Sequence, residues 1–250
     1  VTGPVVTAKL AETVVRLSRD FVLGPIDLEA RAGETVVMVG ASGSGKSTVL
    51  RLFAGLVVAD RGRVEVFGEP LVPARHDTVR RRIGYVTQEG GLFPHLDVRA
   101  NATLRARALG RGAEEIEERF TSLARLARVD PSLFARLPFE LSGGQRQRVA
   151  LVRALMDEPG LVLLDEPLGA LDPVVRSELR RDLRDLLRRS GAAVVMVTHD
   201  LDEAVALGDE IVVVHEGRID ARGSLADLRA AERGSFTARL LDACLGEVAT

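Results

Sequence analysis

The chain has one cysteine, Cys244, no tryptophan and a single tyrosine in 250 residues. A lone cysteine rules out an internal disulfide and a multi-cysteine zinc site, and a reducing compartment is the simplest expectation. Lysine is almost missing: of 34 basic residues only Lys9 and Lys46 are lysine, so arginine is the default cation. Long apolar runs are absent too. Stretches such as Val36–Val39 and Leu161–Leu164 fall far short of the ~18 residues that cross a bilayer. No charged-then-apolar leader opens the sequence, and no repeat or low-complexity segment interrupts it. A net charge of −2 gives no basic field for nucleic acid. An apolar fraction of 46% and a charged fraction of 28% describe an ordinary globular chain with enough residues for a proper core.

Short valine- and leucine-rich runs alternate with segments of helical period. "ETVVMVG" (34–40) reads as a buried strand, and "KSTVLRLFAGL" after it as a helix closed near Gly55. "GRVEVFG" and "IGYVTQ" read as strands, and residues 97–134 as helices broken at Gly110, Gly112 and Pro131. A second series follows: the helix "QRQRVALVRALM", the strand "LVLLDEP", a long helix starting at Pro173, the strand "AAVVMVTHD", and a hairpin turning at Glu216–Gly217. Strands alternating with helices imply an α/β fold with a mostly parallel core sheet and some antiparallel β elements. The expected division is a nucleotide-binding core over 1–88 and 151–230, an inserted helical subdomain over 89–150, and a helical tail over 231–250.

"GASGSGKST" comprises Gly40, Ala41, Ser42, Gly43, Ser44, Gly45, Lys46, Ser47 and Thr48. It fits G-x-x-x-x-G-K-[ST] between a strand and a helix, the context of a phosphate-binding loop. Glycines let successive N–H groups turn toward a phosphate, and the helix N-terminus adds partial positive charge. Lys46 is expected at the β/γ oxygens of ATP, where an ammonium sits as a compact charge, and Ser47 on Mg2+. "LVLLDEP" ends a buried strand with Asp165 and Glu166. Ligands in open parallel sheets sit at such strand ends. If this strand neighbours the one that feeds the loop, Asp165 holds Mg2+ through water. Glu166, pointing the other way by strand alternation, activates the attacking water.

With these residues the chain resembles the ATP-binding subunit of an ATP-binding-cassette (ABC) transporter, of importer type, over about residues 5–230. The resemblance rests on six motifs in order: the Walker A at 40–48, the Q-loop glutamine Gln88, the signature "LSGGQ" at 141–145, the Walker B at 161–166, the D-loop "GALD" at 169–172 and the switch histidine His199 in "VTHD". It implies the fold of a P-loop NTPase. It places Gln88 on Mg2+ and the attacking water, and His199 on the γ-phosphate. It implies that two chains, or two paired cassettes, meet head to tail, with Asp172 working across the boundary. Ser142, Gly143, Gly144 and Gln145 of one chain then cap the ATP held by the other. Phe21 is the candidate for stacking on adenine, with a place in the core as its alternative.

The implied partners are transmembrane permease subunits, received by a groove around "GLFPHLDV", and indirectly a solute-binding protein; no nucleic acid is expected. The implied place is peripheral, on the cytoplasmic face of the membrane. "QEGGLFPHLDV" and "VTHDLDEAVALGDEI" look most like importers of quaternary amines such as glycine betaine. Export, lipid trafficking and a DNA-repair ATPase are the alternatives. The last needs a coiled coil or zinc cysteines, and the short interval from Gln88 to Leu141 holds neither. The stretch after His199 is expected to be too short for a regulatory domain.

Overall fold

The computed structural model describes residues 5–169, 173–232 and 234–245. The chain opens with long antiparallel strands β1 (Val6–Arg16) and β2 (Val22–Arg31), then the short strand β3 (Thr35–Val39), which feeds helix α1 (Lys46–Phe53). The hairpin β4 (Arg61–Val66) and β5 (Glu69–Pro70), a short helix α2 (His76–Arg80) and strand β6 (Ile83–Val86) follow. Three helices come next: α3 (Val98–Ala108), α4 (Ala113–Leu126) and α5 (Gly143–Leu155). The chain then alternates through β7 (Leu161–Asp165), α6 (Pro173–Ser190), β8 (Ala193–Thr198), α7 (Leu201–Leu207), β9 (Glu210–His215) and β10 (Arg218–Gly223). It closes with α8 (Leu225–Arg229) and α9 (Phe236–Leu245). Among the described residues no helix is long and apolar enough to cross a membrane.

Two sheets result. The first is antiparallel, in the order β2-β1-β4-β5; the second runs β10-β9-β3-β8-β7-β6, parallel except for the β9/β10 hairpin. That hairpin turns at Glu216 and Gly217, both with positive φ, as expected from the sequence. The parallel strands are mainly apolar because both faces are covered. In β3, Val37 and Val39 join a core shared with α3–α7, whereas Val36 and Met38 join a core shared with α1 and the antiparallel sheet. Strands β7 and β8 divide in the same way, the period-2 consequence of pleating.

Two sequence expectations change. The strand that feeds the phosphate loop and the strand that ends in Asp165 are not neighbours: β8, which carries His199 at its end, lies between them. Strand order is a tertiary choice that no local pattern encodes. Next, Glu166 is not placed by strand alternation. Strand β7 stops at Asp165, and Glu166 takes φ 46°, the left-handed region, with its N–H donating to the Val197 carbonyl at 2.9 Å. Helix α5 crosses the expected boundary at residue 150 unbroken to Leu155, and its C-terminal residues pack into the shared core.

Candidate nucleotide-binding site

The loop between β3 and α1 is made by glycines in conformations other residues adopt at a cost. Gly40, Gly43 and Gly45 have φ of 155°, 79° and 98°. A Cβ at Gly40 would stand 2.1 Å from the Val214 carbonyl oxygen, so a side chain is excluded on space as well as on dihedral. Inside this loop the buried Lys46 folds back on its own backbone. Its Nζ donates to the carbonyls of Gly40 and Ala41 at 2.8 and 2.7 Å and to Ser44 Oγ at 3.3 Å. Burial lowers the pKa of this ammonium, with the Glu166 and Asp165 carboxylates pulling the other way. The loop therefore holds a cation ready to exchange backbone carbonyls for phosphate oxygens.

Helix α1 reaches over the end of β8 to the end of β7. Ser47 Oγ donates to Asp165 Oδ1 at 2.8 Å, which joins the two motifs despite the intervening strand. Beside them, Glu166 Oε2 is the meeting point of two further motifs: Gln88 Nε2 donates to it at 3.2 Å and His199 Nδ1 lies 3.2 Å away. Lys46, Ser47, Gln88, Glu166 and His199 line one cleft of about 460 Å³, together with Ser42, Gly43, Gly45, Thr48, Phe21 and Leu17. Phe21 packs against the core beneath the antiparallel sheet and also lines the cleft, with ring carbon Cε1 3.6 Å from where a Gly45 Cβ would be. Leu17, 44% exposed at the same rim, escaped the sequence reading because a lone leucine after a strand carries no pattern.

The oxygen donors Ser47 Oγ, Asp165 and the Gln88 amide suit Mg2+, which is held by few protein oxygens plus substrate phosphates. No group of three or more His, Cys, Asp or Glu poised for a metal occurs among the described residues.

The matched motifs within one fold can be set against known proteins. The family model for the ABC transporter matches residues 23–169, more than half of the chain. The chain belongs to that family. This cassette is 41% identical over 194 residues to the Bacillus subtilis glycine betaine/carnitine/choline transport ATP-binding protein OpuCA, covering 78% of the chain and 51% of the relative. It is 46% identical over 206 residues to a Bacillus cereus sulfate/thiosulfate import ATP-binding protein CysA, covering 81% and 57%. The chain thus spans little more than half the length of these curated relatives. Among solved structures it is similar to the dimeric ATP-binding cassette MJ0796 in a post-hydrolysis state bound to ADP and Pi, with TM-score 0.77 and 31% identity over 87% of this chain and 98% of that one.

The signature of this cassette lies elsewhere. Ser142 caps α5: its side chain accepts from Gln145 N–H at 3.3 Å, and Gln145 Oε1 accepts from Ser142 N–H at 2.8 Å. Ser142, Gly143, Gly144 and Gln145 do not line the cleft that holds Lys46. Asp172 lies outside the described residues. An apolar cavity of about 580 Å³ has Gly91 and Phe93 of "GLFPHLDV" in its wall, with Leu56, Tyr85 and Leu104. Its loop is pinned by Asn101, which sequence reading missed. The fully buried amide accepts from Phe93 N–H at 2.8 Å and donates to the Leu96 carbonyl at 2.7 Å.

Burial raises the pKa of Asp165, partly offset by the Ser47 hydrogen bond. The sign follows from linkage: a carboxyl raised in the fold binds its proton more tightly there. Its favourable contribution is complete below the ordinary carboxylate range and is lost as pH rises through the raised value. Above that raised value the Asp165 carboxylate is a charge the fold would be more stable without. Asp165→Asn, which still accepts from Ser47, is expected to raise Tm by roughly 2–4 °C at pH 7, from ~1 kcal/mol. The gain should shrink as pH falls toward 4, and thermal melts across pH check it. A Tm at or below that of the parent at pH 7 would contradict the assignment.

Proposed function

We propose that this chain binds ATP with Mg2+ and hydrolyses it to drive a membrane permease. The observation that carries the reading is the convergence of Gln88 and His199 on one oxygen of Glu166, at the mouth of the cleft that holds Lys46 and Ser47. Phosphoryl transfer demands positioning and charge stabilisation more than covalent chemistry. The glycine loop and Lys46 take the β- and γ-phosphate charge, and Ser47 and Asp165 hold the ion. Bound there, Mg2+ neutralises phosphate charge. Glu166 accepts the proton of the attacking water; Gln88 orients that water, and His199 fixes the γ-phosphate. Phe21 and Leu17 offer an apolar wall for the adenine ring.

The signature does not line this cleft, and we assign it to the ATP of a second cassette, homologous or identical. Ser142 and the backbone N–H groups at the start of α5 would meet the γ-phosphate there. Asp172 is assigned to the same boundary. The apolar groove by Phe93 is assigned to a permease loop, which puts the chain on the cytoplasmic face of the membrane. The solute is small, and the likeness to OpuCA favours a quaternary amine imported with a solute-binding protein.

The test is ATP hydrolysis by the purified chain, alone and reconstituted in liposomes with its permease and binding protein. Stimulation by glycine betaine and not by sulfate supports the full reading. Stimulation by sulfate moves the substrate; recovery with nucleic acid instead of a permease overturns transport.

A further inference from the structure

The side chain of His199 is 54% exposed, with Nδ1 3.2 Å from Glu166 Oε2. The placement of so exposed a side chain depends strongly on the backbone that carries it. That backbone is the turn from β8 into α7, and buried polar groups hold it from behind. Thr198, 1% exposed, accepts the Asp200 N–H on its Oγ1 at 3.0 Å, a bond that spans His199. The same hydroxyl donates to Glu203 Oε2 at 2.7 Å. Glu203, also 1% exposed, sits in the first turn of α7, where its own N–H donates to Asp200 Oδ1 at 3.1 Å. Arg176, in the first turn of α6, bonds Asp200 Oδ2 at 3.1 Å and lies 3.8 Å from Glu203. The two neighbours of His199 are thus tied to each other and to helices α6 and α7.

A buried carboxylate is a costly way to fill this space, since a hydrocarbon of the same volume packs as well and leaves no charge to desolvate. Burial pushes the Glu203 carboxyl above its ordinary pKa, opposed first by the Thr198 hydroxyl. What the carboxylate supplies that a hydrocarbon lacks is direction: it fixes the Thr198 hydroxyl, whose lone pair then fixes Asp200 N–H. We infer that Thr198 and Glu203, braced by Arg176, are positioning residues for His199, acting through the turn that carries it. Arg176 stands four residues after Asp172, so the brace also joins the turn to the helix that follows the D-loop. The inference rests on the role given to His199 above.

The test is steady-state and single-turnover ATP hydrolysis, with nucleotide affinity and Tm read on the same samples. Thr198→Val is expected to lower kcat by about tenfold or more, with KM for ATP within about threefold, because a small misplacement of a catalytic group is expensive. Thr198→Ser, which restores the hydroxyl, should recover kcat to within about threefold. Glu203→Ala should repeat the loss without touching Thr198, and it decides the matter where Val at 198 prevents folding. In a His199→Ala background, Thr198→Val should add nothing, because the histidine through which it acts is gone. Turnover within twofold of the parent in both single variants, or the same fractional loss in the His199→Ala background, would overturn the inference. Full turnover by His199→Ala itself would overturn the role of the histidine, and with it this one.

Discussion

Glu166→Gln should bind ATP as the parent does and hydrolyse it about 10²–10⁴-fold more slowly, the usual worth of a positioned general base. The reasoning is local. Glutamine keeps the size of the side chain, and its amide oxygen still meets Gln88 Nε2 and His199 Nδ1 in place of the carboxylate oxygen now 3.2 Å from each. What it loses is the capacity to take a proton from water. Binding, which rests on the glycine loop, Lys46 and Ser47, is left intact. If ATP binding closes two cassettes on each other and hydrolysis reopens them, the variant should also accumulate as a dimer in ATP. Gel filtration with and without ATP, beside a phosphate-release assay, reads both effects. A variant that turns over normally, or stays monomeric in ATP, would remove Glu166 from the base role.

Ser142→Arg should abolish turnover, by about 10²–10³-fold, while leaving the affinity of the single chain for ATP unchanged within about twofold. Ser142 is exposed at the start of α5 and absent from the cleft that holds Lys46, so its loss should not weaken binding to the same chain. Its effect must come from a γ-phosphate presented by another molecule. The substitution also removes an N-cap, at a cost of ~1 kcal/mol to the helix. Ser142→Asn, which keeps the cap, separates the two effects: it should match the stability of the parent. A fall in the intrinsic ATP affinity of the monomer would mean that the signature serves its own cleft after all.

How much of this was legible in the sequence depends on how local each constraint is. The phosphate loop was legible because backbone N–H groups can surround a phosphate only where glycine permits it, and Gly40, Gly43 and Gly45 all take the positive φ this demands. The strands were legible because β3, β7 and β8 are buried on both faces and so carry unbroken apolar runs. Strand order was not, since the insertion of β8 between β3 and β7 is decided by crossover packing. The geometry of Glu166 was hidden for a different reason. A left-handed residue directly after a strand overrides the alternation that sequence reading relies on, and nothing in "LDEP" announces it. Leu17 was invisible because a lone leucine after a strand carries no pattern, and Asn101, Thr198 and Glu203 because their hydrogen bonds depend on the exact path of the adjoining turns, which residue type does not announce. The separation of the signature from its own phosphate loop is the case where the sequence posed the question and only the geometry of a single chain sharpened it.

The central claim, that one working site is built from two chains, is tested most directly by cross-linking in trans. Two proteins are made in a background lacking the exposed Cys244, one carrying Ser42→Cys in the phosphate loop and the other Ser142→Cys in the signature, both with Glu166→Gln. Mixed and treated with a short bis-maleimide, which joins two thiols as thioethers, they should give a covalent heterodimer in ATP and none without nucleotide, with neither protein cross-linking alone. Equal yields with and without ATP, or a chain carrying both cysteines that links only within itself, would contradict the shared site.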